Sequence, residues 1–467
     1  MNRIKTLFTI LILLNSTMAW AQTEDELMIK AIFEDVLTKG ECYQNLDYLS
    51  NQIGGRLSGS PGAAQAVNWT RKLMNGYGFD TVYLQEVMVP HWVRGKKELA
   101  QIIARNGSTT TVDVVALGNS EGTGTDGIRA EVLEVKTLPE LELLGKKQIQ
   151  GKIVFFNRPM DPTLISTFKA YGGAADQRVH GPSEAAKYGA VGVVVRSLTL
   201  ALDDVPHTGT LVYKNDLPRI PAVAISTQDA NLLSDMIKIN EGLKFYFATH
   251  CQMLEDVLSY NVVGEIRGSG NPKDIILVGG HLDSWDNGDG AHDCGTGCMQ
   301  SIQVLRTLQR LGYQPQHTLR AVLFMNEENG LRGGKKYAEI SNQQREMHVA
   351  AIESDRGGFL PLGFSIDANQ KVFEQLQNWK PLFAPYHIHQ FVQGYSGSDI
   401  KPLKSQNGAL IGLLPDSQRY FDIHHTSEDT FDKVNKRELE LGAAAMTALV
   451  YLIDKYGLPA PEMISSE

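Results

Sequence analysis

Short apolar segments alternate with longer amphipathic ones across residues 254–460, and this alternation restricts the fold more than any other feature of the chain. The apolar segments are predicted strands, and two of the amphipathic segments are clear predicted helices. The strands are Ile275–Val278, Leu319–Met325, Val349–Ile352 and Leu410–Leu414, and the helices are Met299–Leu311 and Arg437–Tyr456. Strands that alternate with helices predict an α/β fold, here a three-layer sandwich around a mixed, largely parallel sheet.

Residues 22–253 divide into two regions with different sequence patterns. Residues 22–100 contain a largely helical segment over Glu26–Gln52, a glycine-rich turn, a predicted helix over Ala63–Tyr77 and a strand over Val82–Val89. Residues 101–253 contain many short strand-like runs punctuated by glycine and threonine. We therefore expect one discontinuous domain, formed by residues 22–100 and 254–460, with a compact β-rich domain inserted at residues 101–253.

The first 21 residues have the pattern of an export signal. Arg3 and Lys5 are followed by the apolar run Leu7–Leu14 and by Ala19-Trp20-Ala21, a typical cleavage site. The run is too short to span a bilayer, and no later segment has the roughly 20 apolar residues that a membrane helix needs. We expect a secreted or periplasmic protein without a membrane anchor.

The charge balance argues against nucleic acid as a partner. The 467-residue chain has a formal net charge of -9 and no basic run, whereas phosphate binding needs a concentrated basic surface. The four cysteines are too few and too scattered for a disulfide framework. Because no second pair completes a zinc site, Cys294 and Cys298 are predicted to be small buried residues at a helix start.

Polar residues follow each predicted strand of the last region. They are His281 and Asp283, Glu327 and Glu328, Asp355, and His424 with His425. A loop dense in carboxylates, which includes Asp293, separates the first two strands. Ligands of open α/β sheets bind beyond the carboxyl ends of the strands, so these side chains are expected to share one rim.

Imidazoles and carboxylates gathered at one rim favour a zinc site, although each residue alone is more often a cap, a turn or a surface group. A two-metal site needs one ligand shared between ions about 3.5–4 Å apart, and a free base for the attacking water. The adjacent residues Glu327 and Glu328 can divide these tasks between metal binding and proton transfer. Asp283 lies two residues after His281, on the same side of a strand, and can orient its imidazole.

The motifs around these residues resemble those of the co-catalytic zinc aminopeptidase family, over nearly the whole chain after the export signal. The matching segments are Gly55–Ser60, Val89–Gly95, Gly280–Asp286, Gly288–Asp293, Glu327–Glu328, Glu353–Asp355 and His424–Thr426. Two further segments, Gly151–Phe155 and Ala185–Gly192, make the insert resemble a protease-associated domain.

The resemblance implies a role for each residue of the rim. His281 and Asp355 would bind one zinc ion, Glu328 and His425 a second, and Asp293 would bridge the two, with Glu327 as general base and Asp283 behind His281. We further hypothesise that His424 donates a hydrogen bond to the oxyanion of the tetrahedral intermediate, with simple packing beside His425 as the alternative.

The sequence leaves the roles of three other features open. His292 and Cys294 stand where relatives carry other residues, and His292 is a candidate for shifting the local charge or metal preference. The loop Gly394–Ile400 is read as a wall of the substrate pocket or as a surface turn. His207, in the insert, is read as a solvent-exposed loop histidine, with contact to the cleft or to a dimer interface as the alternative.

The function implied by the resemblance is hydrolysis of dipeptides or short peptides with a free N-terminus, by a homodimer using water activated by two zinc ions. An insert that closes one side of the cleft would limit the length of the peptide. A broad aminopeptidase for longer peptides would use the same chemistry, and a non-catalytic binding protein of the transferrin-receptor type would share only the architecture.

Overall fold

The computed structural model describes residues 23–459, which contain two eight-stranded sheets. The predicted export signal at residues 1–21 lies outside the described residues. The strands are β1 (Thr81–Val93), β2 (Leu99–Ile103), β3 (Thr109–Val112), β4 (Val114–Ala116), β5 (Ile128–Val135), β6 (Ile153–Phe156), β7 (Gly192–Arg196), β8 (Ala222–Ile225), β9 (Lys244–Ala248), β10 (Gln252–Ile266), β11 (Asp274–His281), β12 (Thr318–Phe324), β13 (Met347–Glu353), β14 (Pro361–Asp367), β15 (Gln390–Gln393) and β16 (Ala409–Pro415).

The α-helices lie before, between and after the strands of the first sheet, and in the segment that forms the second sheet. They are α1 (Glu24–Lys39), α2 (Cys42–Tyr48), α3 (Pro61–Gly76), α4 (Leu138–Ile149), α5 (Thr167–Gly172), α6 (Asp176–Val179), α7 (Gly181–Lys187), α8 (Thr227–Ile239), α9 (Thr296–Arg310), α10 (Arg332–Gln344), α11 (Gln370–Asn378), α12 (Lys380–Phe383), α13 (Tyr420–Ile423) and α14 (Lys436–Tyr456). Two π-helical turns, Leu49–Ile53 and Ala291–Gly295, and three 3-10 turns, Ala384–Tyr386, Lys401–Gln406 and Phe431–Lys433, complete the set within residues 23–459.

The first sheet has the strand order β1-β10-β12-β11-β13-β16-β14-β15. Its four central strands, β12, β11, β13 and β16, are parallel. The strands β1 and β10 pair antiparallel at one edge, and β14 runs antiparallel to β16 near the other. The mixed sheet is therefore confirmed, and its parallel character is concentrated at the centre, where the predicted strands lie.

Helices cover both faces of this sheet because successive side chains of a strand point in opposite directions. Ile276 and Val278 of β11 belong to the larger apolar core, together with residues of α9 and α14. Ile275 and Leu277 belong to a second core, which includes Tyr337 of α10. A strand that is apolar at every position is the expected signature of a sheet buried on both faces.

The prediction that Glu26–Gln52 is largely helical is confirmed, and the chain leaves the helical conformation only at residues 40 and 41, between α1 and α2. α1 begins at a capping box, in which Thr23 and Glu26 each bond to the other's backbone N–H, and it ends where Gly40 is extended. The helix over Ala63–Tyr77 is confirmed as α3, whose N-cap Ser60 accepts a hydrogen bond from Ala63.

The second sheet, β3-β2-β9-β5-β6-β7-β8-β4, is formed entirely by residues 99–248. Apolar cores cover its two faces. The short predicted strands are present, but α4, α5, α6 and α8 give this region more helix than its sequence predicts.

The segment that forms the second sheet, residues 99–248, is called the insert below. Two connections join it to the first sheet, one between β1 and β2 and the other between β9 and β10. Arg94, at the first connection, forms an ion pair with Asp286 at 2.6 Å and donates to the carbonyl of Ala116 at 2.8 Å. These contacts hold the insert against the loop that follows β11. Among the helices of residues 23–459, none combines the length and apolar character needed to cross a membrane.

Candidate active site

Asp293 lies between two histidines at the carboxyl edge of the first sheet. Its Oδ1 is 3.2 Å from Nε2 of His281, and its Oδ2 is 3.2 Å from Nε2 of His425. Nε2 of His281 also lies 3.1 Å from Oδ1 of Asp355, and Nε2 of His425 lies 3.2 Å from Oε2 of Glu328. The two oxygens of one carboxylate thus face two separate imidazole–carboxylate pairs.

The parallel strands bring these residues together. β11 ends at His281, which pairs in register with Phe324, the last residue of β12. Glu328 follows a few residues beyond that end, and Asp355 follows the end of β13. The convergence predicted from strand order is the consequence of three neighbouring parallel strands ending at one edge.

Several groups of side chains here have the spacing of metal ligands. Among residues 23–459, three groups each have ligand atoms within 4.8 Å of one another: His281, Asp293 and Glu328; Asp293, His424 and His425; and His281, Cys294 and Asp355. Together they include all five residues that the resemblance assigns to metal binding.

One buried carboxylate oxygen of this cluster, Oε1 of Glu328, has no hydrogen-bond partner among the described residues. Buried charged oxygens without a partner are costly, and they are usually compensated by a cation or a proton. Imidazole nitrogens and carboxylate oxygens are the donors that zinc takes in catalytic sites. The residues present therefore fit zinc.

The surrounding carboxylates favour positive charge on His281 and His425. Burial opposes protonation of His425, yet Glu328 and Asp293 raise its pKa to about 10. Burial likewise opposes protonation of His281, but the Asp355 carboxylate and its neighbours raise that pKa well above the usual value. Burial would raise the pKa of Asp293, but hydrogen bonds from His281 and His425 hold it well below the usual range.

Whereas these histidines and Asp293 are shifted toward their charged forms, the two adjacent glutamates are shifted toward their neutral forms. Burial, together with the charge of Asp355 and Glu328, raises the pKa of Glu327 to about 8. Burial and the charge of Asp293 raise the pKa of Glu328 to about 7. The side chains also differ in exposure, because Glu328 is buried and Glu327 is partly open to the cleft.

Asp283 acts on this pair of glutamates more directly than on His281. Its carboxylate accepts hydrogen bonds from the backbone N–H groups of Asn326 at 2.7 Å, Glu327 at 3.1 Å and Glu328 at 3.4 Å. Nδ1 of His281 contacts the Asp283 carbonyl oxygen at 2.9 Å, whereas the nearer carboxylate oxygen is 3.9 Å away. The expected orientation of His281 by the Asp283 side chain is thus corrected: the backbone carbonyl makes that contact.

Two residues that sequence reasoning did not single out hold the loop around Asp293. Asp429 accepts hydrogen bonds from the backbone N–H groups of His292 at 2.7 Å and Asp293 at 3.0 Å. Arg56 is fully buried and donates to the carbonyls of Leu282 at 2.6 Å and Gly290 at 2.7 Å. Arg56 lies within the Gly55–Ser60 motif, so the motif itself was the available signal.

His424 lies against His425, with ring centroids 3.5 Å apart, and its Nε2 is 3.5 Å from Oδ2 of Asp293. Burial and the neighbouring His425 hold the pKa of His424 well below its usual value. His424 is therefore neutral and retains one N–H donor.

These residues line a cleft of about 510 Å³, and both sheets contribute to its walls. Asp293, Glu327, Glu328, Asp355, His424 and His425 belong to the first-sheet side, and Asn119, Phe168, Tyr171, Arg178, Thr210 and Val212 to the insert. The segment Tyr395–Ser398 also lines the cleft, as one reading of the Gly394–Ile400 loop anticipated. The Glu353 carboxylate fixes this loop by accepting hydrogen bonds from the N–H groups of residues 398, 399 and 400.

His292, Cys294 and His207, whose roles the sequence left open, are all buried. His292 is buried against Phe359 and accepts a hydrogen bond from Gly358, and burial lowers its pKa to about 4, so it adds no charge. Cys294 is buried, as expected, and donates to the carbonyl of Ser354 at 2.9 Å. His207 is also buried, so its reading as a solvent-exposed histidine was wrong.

Comparison with known proteins identifies the family. The sequence profile described as Peptidase family M28 matches residues 261–450, which include all five candidate metal ligands. Carboxypeptidase Q of Homo sapiens is 33% identical over 419 residues, covering 89% of this chain and 85% of that protein. The chain belongs to peptidase family M28. Carboxypeptidase Q of Xenopus laevis, at 35% identity over 89% of this chain and 86% of that protein, is similarly related.

Two solved structures share the fold. The crystal structure of a peptidase M28 precursor from Shewanella amazonensis superposes with a TM-score of 0.88 at 30% identity, covering 94% of this chain and 99% of that one. A zinc aminopeptidase from Bacillus subtilis superposes with a TM-score of 0.63 at 18% identity, covering 88% and 94%. This M28 protein is a metallopeptidase, and the resemblance inferred from its motifs is confirmed.

Proposed function

We propose that this M28 peptidase binds two zinc ions and hydrolyses dipeptides or very short peptides that have a free N-terminus. The observation that carries the proposal is the position of Asp293, whose two carboxylate oxygens face the His281–Asp355 pair and the Glu328–His425 pair. His281 and Asp355 would hold one ion, Glu328 and His425 the other, and Asp293 both. When bound, two zinc ions lower the pKa of a water molecule and polarise the scissile carbonyl.

Glu327 would be the general base. Its backbone N–H is fixed by Asp283, and its carboxylate lines the cleft beside Glu328 and Asp355. A carboxyl whose pKa lies near neutrality can take a proton from water and return it to the leaving amine. The pKa of Glu327, raised to about 8 by burial and by the nearby carboxylates, supports this role.

His424 would stabilise the oxyanion of the tetrahedral intermediate. It lines the cleft, and its neutral imidazole carries an N–H donor close to the Asp293 carboxylate. Aromatic contacts with Tyr171 at 5.2 Å and Phe421 at 5.1 Å hold the ring in place. A donor that is fixed before the reaction begins stabilises developing charge without reorganisation.

Arg178 supports a substrate whose C-terminal carboxylate lies within the cleft. The side chain is buried and forms no ion pair among the described residues, and its Nε has no hydrogen-bond partner there. The guanidinium lies over the ring of Tyr171 at 5.4 Å. A buried guanidinium without an anion favours binding a carboxylate, often by two parallel hydrogen bonds.

Helix α5 of the insert supports a limit on peptide length. Phe168 stacks on Tyr420 at 5.4 Å, and Tyr171 stacks on Phe421 at 4.6 Å. The guanidinium of Arg356 lies over the Phe168 ring at 5.1 Å. These contacts close one side of the cleft, so a cleft of about 510 Å³ suits a dipeptide better than a long chain.

The direct test compares turnover of dipeptides with that of pentapeptides of the same N-terminal sequence, with zinc added and removed. The proposal requires zinc-dependent hydrolysis that is faster for the dipeptides. Equal or faster turnover of the pentapeptides would favour a broad aminopeptidase. No hydrolysis of either by fully zinc-loaded protein would favour a binding protein.

Replacing Arg178 with Ala is expected to raise KM for dipeptides by about 10–100-fold with little change in kcat, because a charge-assisted hydrogen bond contributes about 1.5–3 kcal/mol. Steady-state kinetics on a dipeptide and on its C-terminal amide provide the measurement and its matched control. The wild type should discriminate against the amide, and the variant should not. Equal preference for the free acid in both proteins would contradict the assignment.

We also propose three properties that rest on the sequence and the resemblance. The basic residues, apolar run and Ala19-Trp20-Ala21 of residues 1–21 support export to the periplasm or the medium. The separate sheet and cores of residues 99–248 support a protease-associated domain inserted at about residues 101–253. Homodimer formation is supported by the resemblance alone.

A further inference from the structure

The insert contacts the imidazole of His425 directly. The backbone N–H of Thr208 donates to the carbonyl of His425 at 3.0 Å, and Nδ1 of His425 lies 3.3 Å from the carbonyl oxygen of Thr208. The other ring nitrogen, Nε2, faces Asp293 and Glu328. A neutral imidazole has one N–H, so donation from Nδ1 to Thr208 leaves the lone pair of Nε2 pointing at the candidate metal position.

The Thr208 carbonyl is itself held by the insert. Thr208 is fully buried, and its Oγ1 donates to the carbonyl of Ala116 at 2.7 Å. The carbonyl of Gly209 accepts from the N–H of Gly118 at 3.0 Å, and the N–H of His207 donates to Oγ of Ser197 at 2.8 Å. The position of the contact is therefore set by residues of the second sheet and its loops.

The backbone of His425 also depends on external contacts. Its φ of +63° lies in the left-handed region, which is unfavourable for a residue with a side chain. Its carbonyl accepts from Thr208 and from Nδ2 of Asn287 at 3.3 Å. Such a conformation persists where the surrounding structure fixes it, and here the insert supplies part of that fixation.

We propose that Thr208 is a positioning residue, and that the insert uses it to complete the metal site by fixing the tautomer and direction of His425. The inference rests on the proposed two-zinc function. Histidine ligands commonly donate their second ring nitrogen to a carbonyl or carboxylate, and loss of that partner typically weakens metal binding about 10–100-fold. The effect should be confined to the ion held by Glu328 and His425, because no insert residue makes such a contact with His281.

Gly209→Ala tests the contact. Gly209 has a φ of +133°, and an added Cβ would lie 2.7 Å from Nδ1 of His425 and 2.5 Å from Cζ of Arg178. Such a Cβ would displace the imidazole, the guanidinium or the Thr208–Gly209 segment. We expect one zinc ion to bind about 10–100-fold more weakly and the other to bind as in the wild type. The measurement is a zinc titration of the metal-free full-length protein against a competing chromophoric chelator, which resolves two affinities.

Two further variants separate the contact from general damage. Gly242→Ala introduces a Cβ at another positive-φ glycine of the insert, with no atom within 4 Å, and should leave both affinities unchanged. Thr208→Val removes the hydrogen bond to Ala116 without adding bulk and should weaken the same ion by a smaller factor.

These titrations distinguish failure of the Thr208 inference from failure of the proposed two-zinc function. Two zinc ions bound by the wild type, with one selectively weakened in Gly209→Ala, would support the inference. Unchanged affinities in Gly209→Ala and Thr208→Val, or equal weakening of both ions, would overturn it while leaving the two-zinc proposal intact. A wild type that takes up fewer than two ions would overturn both.

Discussion

Glu327→Gln is expected to lower kcat for dipeptides by about 10²–10⁴-fold, the usual contribution of a general base. The amide keeps the size and the backbone hydrogen bond of Glu327 to Asp283 but cannot accept the proton of the attacking water. Glu327 is no candidate metal ligand, so both zinc ions should remain bound. KM should change little, because the substrate contacts remain.

The measurement for Glu327→Gln is kcat on a dipeptide at saturating substrate, with zinc content determined on the same sample. Glu339→Gln, an exposed glutamate on α10, is the matched control and should retain full activity. A Glu327→Gln enzyme that turns over at the wild-type rate with two zinc ions bound would show that another group accepts the proton.

Asp293→Ala is expected to abolish both zinc binding and hydrolysis, because this carboxylate alone faces both imidazole–carboxylate pairs. Its loss also leaves His281 and His425 without their shared partner. The measurement is metal content after gel filtration in zinc-free buffer, together with activity at added zinc.

Asp355→Ala is the comparison for Asp293→Ala. It removes one ligand of the His281 position and leaves Asp293, Glu328 and His425 in place. We expect this variant to retain one zinc ion. If Asp293→Ala and Asp355→Ala lose the same number of ions, Asp293 does not serve two positions and the assignment of a bridging ligand is wrong.

Much of the candidate site follows from local patterns in the sequence. Apolar strands such as Ile275–Val278 are recognisable because a sheet buried on both faces needs apolar residues at every position. Parallel neighbours end at one edge, so the residues beyond them, His281, Glu328 and Asp355, were expected to converge. The bridging geometry of Asp293 was expected only from the resemblance.

The residues through which the insert contributes to the site were not visible in the sequence. Arg178 and Phe168 reach the cleft, and Thr208 reaches His425, only because residues 99–248 fold as a separate sheet and dock across the carboxyl edge of the first one. No spacing or periodicity encodes that docking, which depends on contacts such as Arg94 with Asp286. The same limit explains the wrong reading of His207, whose burial is set by the insert and not by its own loop.

The predicted direction of the Asp283 side chain was also wrong. Strand periodicity placed its side chain on the same side as His281, but the strand ends at His281 and the chain turns. The carboxylate therefore faces the N–H groups of residues 326–328, where it fixes the two glutamates. A periodicity argument holds only while the element continues.

The central claim is that two zinc ions lie on either side of Asp293, and anomalous X-ray scattering from crystals of the zinc-loaded protein tests it most directly. We predict two anomalous peaks about 3.5–4 Å apart, one beside His281 and Asp355 and the other beside Glu328 and His425, with Asp293 touching both. A single peak, or peaks that Asp293 does not join, would contradict the account.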